Sequence, residues 1–308
     1  MAYTTGATKA AIEQAAKVVD NGDKHIDQLG NEFELPTYTM KEIHDAIPAH
    51  CFQPSTIRSL AYVARDFLYV SILVYCSTYI QYLPNPITRF LGWVAYSVVQ
   101  GWVFTGIWIL AHECGHGAFS KSIKLNNWVG WLLHSFLLVP YYSWKITHST
   151  HHKNTGNIEK DTAFVPHERE SWVKSHCGEK ADLAAVELAH LAEDAPLVTF
   201  WYCFKHQLFG WPGYLFANLT GQKYEKGFPQ FSHFYFGEDS VLFKKEQLPL
   251  IIWSDIGVLG QIALLTIAGH FFGSSTIALL YVPPYLWVNH WIGTPPSPSP
   301  IAPPQTQN

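Results

Sequence analysis

Charge is scarce in this chain. Asp, Glu, Lys and Arg make up 14% of its 308 residues, against roughly 25% in an ordinary soluble domain, which argues against a free-standing soluble globule. The net charge of −4 supplies no basic face, so nucleic acid is not an expected partner. Cysteine is sparse as well. The five, at 51, 76, 114, 177 and 203, lack CxxC spacing, which argues against a thiolate metal site and fits free thiols in a reducing compartment or in lipid. Residues 1–20 hold no apolar stretch of secretory-signal type. After His152 no two histidines are adjacent.

Aromatic residues, by contrast, are abundant: 15% of the chain, including twelve Trp and sixteen Tyr, as expected where rings anchor at lipid headgroups. Residues 67–88 and 90–111 carry no charge, and each is about as long as the ~20 residues a membrane helix needs. Pro84-Asn85-Pro86 is the expected turn, giving a transmembrane hairpin. Residues 248–272, with the single charge Asp255, and 276–291 are expected to form a second hairpin, turning at Gly273-Ser274-Ser275. Residues 125–143 are apolar but too short to cross twice, and are expected to be re-entrant or interfacial. Residues 201–219, interrupted by Lys205, Gly210, Pro212 and Gly213, are expected to be interfacial too. A Thr-capped short helix is expected near Thr37–Ile43, stopping before Pro48, and a helical apolar period runs from 182 to 191. The far-side loops of this topology hold one cation, Arg89, of the twenty Lys and Arg, so the termini and the intervening loops are expected in the cytosol. The expected class is an all-α membrane protein: four transmembrane helices in two hairpins. The expected divisions are a cytosolic segment at 1–60, the membrane domain at 61–292 and a Pro-rich disordered tail at 293–308.

Two histidine clusters fall on the cytosolic side of that scheme. His112-Glu113-Cys114-Gly115-His116 is an i, i+4 pair, and His148-Ser149-Thr150-His151-His152 an i, i+3, i+4 triplet. On a helix each spacing puts its imidazoles on one face, where they can converge on iron, zinc, copper or nickel. A lone histidine at a membrane edge is usually a core or interfacial residue, and His233, His270 and His290 are read that way. Five in two helical-face patterns call for a metal. Cys114 is expected to be a small filler. His112-Glu113-x-x-His116 also matches the zinc metalloprotease motif, with Glu113 as general base. Against a protease stand the helix-averse Gly115 and Gly117 and a second cluster richer in histidine than a zinc protease requires.

Ala111–Ser120 around the first cluster, Trp144–Gly156 around the second, Asp161-Thr-Ala-Phe-Val-Pro166 after it and Ile47-Pro-Ala-His-Cys-Phe52 before it together resemble the membrane fatty acid desaturases of the plant and fungal delta-12 type. The similarity runs from about residue 33 to Trp291. The resemblance implies two non-haem irons held by His112, His116, His148, His151 and His152, with Glu113 orienting an imidazole from outside the ligand set. It implies four spans under a cytosolic helical cap in the endoplasmic reticulum membrane. It further implies electrons from cytochrome b5 and its NADH-dependent reductase, dioxygen as co-substrate, and an acyl lipid substrate, phospholipid or acyl-CoA. Omega-3 desaturases and related acyl hydroxylases share these boxes. The family's third histidine box is not found before the Pro-rich tail. The expectation from sequence is therefore a C-terminally truncated, incomplete ligand set and an inactive 308-residue form, a non-catalytic membrane protein.

Overall fold

The structure, a computed structural model, describes residues 25–26, 32–33, 37–155, 157, 159–165, 178 and 195–293. The chain divides into two compact units, Met1–Gln53 and Pro54–Asn308. The first holds a two-residue antiparallel pair, β1 (His25–Ile26) and β2 (Glu32–Phe33), with His25 opposite Phe33. It also holds helix α1 (Met40–Ala46), which starts where expected because Thr39 and Glu42 form a reciprocal capping box. Glu42 N–H donates to Thr39 Oγ1 at 3.3 Å, and Thr39 N–H to Glu42 Oε2 at 2.6 Å.

Among the described residues, the regular elements of the second unit are helices. α2 (Thr56–Ser77) and α3 (Pro86–His116) are followed by α4 (Ile123–Phe136) and α5 (Tyr141–Asn154). After α6 (Pro196–Lys205) and α7 (Trp211–Ala217) come α8 (Leu248–Phe272) and α9 (Ser274–Gly293). Three helical stretches are long and apolar enough to cross a membrane: Thr56–Tyr82, Pro86–His116 and Lys245–Phe272. α9 does form, but its Pro283, Pro284, Asn289 and His290 dilute its hydropathy, so it is not among the three. The first expected span is displaced: α2 begins eleven residues before 67 and ends eleven before 88. Its opening turns carry Arg58, Arg65 and Asp66. Asp66 is buried and paired with Arg65 at 2.8 Å, so a search for charge-free sequence starts too late. The hairpin turn is as read: Asn85 Oδ1 accepts from Thr88 N–H at 2.9 Å, with Pro86 at the first helical position.

Residues 125–143 resolve into α4 and the start of α5. At 14 residues, α4 is short of the roughly 30 Å hydrocarbon core. The presumed breaks at 205–213 are not breaks. A π-helical turn, His206–Gly210, joins α6 to α7 and absorbs them within continuous helix. The 182–191 helix, the tail beyond 293 and Cys177 lie outside the described residues.

α3 is the central post. Tyr96, Gln100, Phe104, Ile107, Ala111 and Cys114 are its buried stripe, at helical spacing. α9 crosses it closely at Gly101, where a Cβ would lie 2.5 Å from Trp287 Cβ. Tyr96 Oη–H donates to Leu280 C=O at 3.0 Å, and Trp287 Nε1–H to Ser97 Oγ at 3.2 Å. α8 braces the other side: Trp131 Nε1–H of α4 donates to Trp253 C=O at 2.8 Å. Ser254 Oγ accepts the first free amides of α5, from Tyr142 at 2.8 Å and Ser143 at 3.3 Å. Pro140 offers α5 no side-chain cap, so a neighbouring helix supplies one. Many large side chains along α2, α3 and α8 remain exposed, among them Leu68, Ile72, Phe90, Trp102, Leu259 and Phe271. Such an apolar surface demands a nonaqueous or protein partner.

Candidate metal centre

α3 ends immediately after His116 because Gly117 turns left-handed (φ 77°). Gly117 N–H donates to Cys114 C=O at 3.1 Å and Ala118 N–H to Glu113 C=O at 3.0 Å, which closes the helix. The first cluster is thus the last turn of a membrane-length helix. α5 brings the second cluster alongside. Gly115 makes this approach possible, since a Cβ there would sit 2.9 Å from the Trp144 ring. Gly115 is disfavoured in an isolated helix, and here close packing against α5 explains it.

His112, His116, His148 and His152 converge, each offering a nitrogen within 4.8 Å of the others'. Within the clusters, His112 Nε2 and His116 Nε2 are 2.9 Å apart, and His148 Nε2 and His152 Nε2 3.0 Å. Between them, the rings of His112 and His148 are 4.6 Å apart and those of His116 and His152 4.7 Å. Two nitrogens bound at right angles to one first-row metal, with bonds of roughly 2.0–2.1 Å, lie about 3 Å apart. The donor set therefore fits such an ion. Burial comes first, and the facing imidazoles of His112, His152, His116 and His151 second, in holding the His148 ring far below the usual imidazole range. A ring held neutral keeps its lone pair for a cation.

Aromatic side chains floor the cluster. Trp144 stacks on His148 (4.4 Å, 22°) and lies 5.1 Å from His112, while Trp108 is 5.2 Å from His112. Behind them, fully buried His134 lies 4.8 Å from Trp144. A cavity of about 150 Å³ opens beside the cluster, lined by Gly115, His116, Trp144, Lys145, His148 and Ser149. Lys145 Nζ–H donates to Asn127 Oδ1 at 2.7 Å rather than to an imidazole.

The fifth histidine stands apart from that set. His151 is not one of the four that converge; its ring is 6.0 Å from His148 and 5.7 Å from His152. Its Nδ1 meets the Asp161 carboxylate, at 2.7 Å from Oδ1 and 2.8 Å from Oδ2. Among the described residues no hydrogen bond joins Glu113 to an imidazole. Cys114 is fully buried and packs with Phe119 and Tyr141 as the expected filler. His233 is likewise a satisfied core residue, bonded to Thr147 Oγ1 at 3.1 Å. Sequence reasoning missed Asp161, Trp144 and His134. For Asp161 the only available signal was an acidic residue shortly beyond a histidine triplet.

A membrane-length apolar helix that ends in four converging imidazoles is compatible with the class of membrane proteins that carry a histidine metal site. The fatty acid desaturase family model matches residues 89–296, and the chain belongs to that family. It is 46% identical over 263 residues to a delta(12) fatty acid desaturase of Mortierella alpina, which covers 84% of this chain and 64% of that protein. An oleate hydroxylase of Claviceps purpurea is 40% identical over 281 residues, 87% of this chain and 58% of the relative. A delta(12) fatty acid desaturase of Calendula officinalis is 39% identical over 266 residues, 84% and 63% respectively. The chain thus spans a little under two thirds of the length of these relatives. Family membership leaves the metalloprotease alternative without support.

Proposed function

We propose that the protein acts in delta-12 desaturation, the conversion of oleoyl to linoleoyl chains. The carrying observation is the four-imidazole cluster at the end of a membrane-length helix, in a chain whose similar relatives include delta(12) desaturases. His112, His116, His148 and His152, with His151 at their edge, would hold non-haem iron. When bound, two irons supply the O2-dependent removal of two hydrogens from adjacent methylenes, with two electrons and two protons completing reduction of O2 to water. The chain's own residues do the rest. Burial keeps His148 unprotonated, Trp144 and Trp108 exclude water beneath the cluster, and the exposed apolar faces of α2, α3 and α8 hold the protein in the bilayer where acyl chains lie. We assign α9 as the fourth span, the clusters to the cytosolic face of the endoplasmic reticulum, and cytochrome b5 with its NADH-dependent reductase as the electron source. The acyl chain would arrive on phospholipid or coenzyme A.

The 40% identity to an oleate hydroxylase favours one second reading, 12-hydroxylation of the same oleoyl chain. Expression of a full-length form containing this chain, in a yeast that makes oleate but no linoleate, followed by mass spectrometry of the fatty acids, separates the two. Linoleate is the expected product. A hydroxylated acid or a double bond at another carbon would overturn delta-12 desaturation.

A further inference from the structure

Asp161 is 1% exposed, although a carboxylate pays heavily for burial unless it is well bonded. It is bonded on every side that the loop offers. Oδ1 accepts from Ala163 N–H at 2.9 Å and Phe164 N–H at 3.2 Å, so the carboxylate is fixed by its own turn. Both oxygens then meet His151 Nδ1.

The turn itself is tied on two sides. Thr162 Oγ1–H donates to Thr147 C=O on α5 at 2.9 Å. Val165 N–H donates to Thr220 C=O at 2.8 Å, and Thr220 Oγ1–H returns to Ala163 C=O at 2.7 Å. At Gly221, a Cβ would lie 2.3 Å from Thr162 C=O, so the strap from 218 to 222 lies tight against the loop. None of these bonds involves an imidazole. The loop would hold Asp161 in place whatever occupied position 151.

From this geometry we propose that Asp161 is a positioning residue for the metal centre: it fixes His151 as the Nδ1–H tautomer and leaves Nε2 as the one nitrogen open to metal. The proposal rests on the metal-centre reading above and adds to it a residue outside the ligand set. The reason is chemical. An imidazole bound to metal through Nε2 carries its proton on Nδ1, and an acceptor there sets the ring's orientation and raises the basicity of the bound nitrogen. His151, set apart from the four-imidazole cluster, meets its two imidazole neighbours only at 6.0 and 5.7 Å, and it is the one that has this acceptor.

The test is Co(II) titration of the metal-stripped protein in detergent, followed by its visible ligand-field bands. The variants are D161N, H151A, D161N/H151A and H112A. D161N should weaken Co(II) binding about 10- to 100-fold and shift the bands, with helix content unchanged. In the double variant D161N should add nothing to the loss in H151A, because it acts through that ring. Additive losses, or D161N binding like wild type while H112A binds little, would overturn the role of Asp161 alone. Wild type that takes up no Co(II), or H112A that binds as tightly as wild type, would overturn the metal-centre reading and this proposal with it. Should D161N fail to fold, 15N-histidine NMR of the metal-free wild type decides. A proton on His151 Nδ1 supports the proposal, and one on Nε2 refutes it.

Discussion

The two histidine clusters are positioned by different means. His112 and His116 ride on the last turn of a 31-residue helix, and their placement follows from α3's packing against α4, α5 and α9. Their polar contact is with each other, Nε2 to Nε2 at 2.9 Å, and His112 Nδ1 is buried without a hydrogen-bond partner among the described residues. His148, His151 and His152 sit on 14-residue α5, which is short and weakly apolar. Its neighbours fix it instead, through the Ser254 cap, the bond from Thr162 to Thr147 and the carboxylate on His151. A long membrane helix is rigid enough to aim side chains by itself, whereas a short interfacial one borrows rigidity from polar ties. Packing lesions should therefore damage both clusters, and polar lesions only the second.

The largest effect is expected from the convergent ligands. In a full-length form, His112→Ala or His148→Ala should each abolish desaturation in yeast and reduce iron in the purified protein, since each removes one of four nitrogens that lie within 4.8 Å. Iron content unchanged from wild type in both would remove the cluster from the mechanism.

Trp144→Ala comes next. The ring is 2% exposed and touches both clusters, so its loss should cost about 3–5 kcal/mol and loosen metal at all four histidines. Gly115→Val, which drives a branched side chain into the same ring, should act in the same direction at about 1–3 kcal/mol. Chemical unfolding and iron content check both. A loss confined to α5 would break the contrast drawn above.

Acid should act more gently. Burial lowers His134 to about 3 and His233 to about 4, against roughly 6.5 in an unfolded chain. The unfolded state thus takes up protons that the folded state refuses, so the stability from these neutral rings is complete above pH ~6.5. It is lost progressively as the pH falls toward 4 and then 3. The melting temperature of the metal-free protein should drop across that window, and His233→Gln should flatten part of the slope. A melting temperature that holds or rises from pH 6.5 to 4 would contradict the buried, neutral assignment.

The smallest effect is expected for Thr162→Val, which deletes one hydrogen bond worth about 1 kcal/mol. It should perturb His151 in an NMR spectrum while leaving His112 and His116 unmoved.

How much of this was legible follows from the range over which each feature is encoded. α8 was bounded at Leu248 and Phe272 as its apolar run indicated, because one uninterrupted stretch determines it. The first span was misplaced because Arg58, Arg65 and Asp66 belong to a helix that composition alone ends at its first charge. Both clusters were visible, since i, i+3 and i+4 spacings need only a helix. Their convergence was not. It depends on Gly115 meeting Trp144 across α3 and α5, and glycine inside a helix reads locally as a defect. Asp161 was hidden for the same reason, as its partnership with His151 closes through a loop and carries no periodic signature.

The four converging nitrogens belong to histidines on helices held together by tight packing, and all are of one chemical kind. Such a nest does not choose its ion. Imidazole sites follow the rising order from manganese through iron, cobalt and nickel to copper, with zinc below copper but above iron. Iron is among the weaker competitors for this donor set. Occupancy by the right metal is then decided by supply, by which ion reaches the nascent protein at the membrane surface and in what abundance. Zinc and copper in the medium would act as inhibitors that bind without reacting.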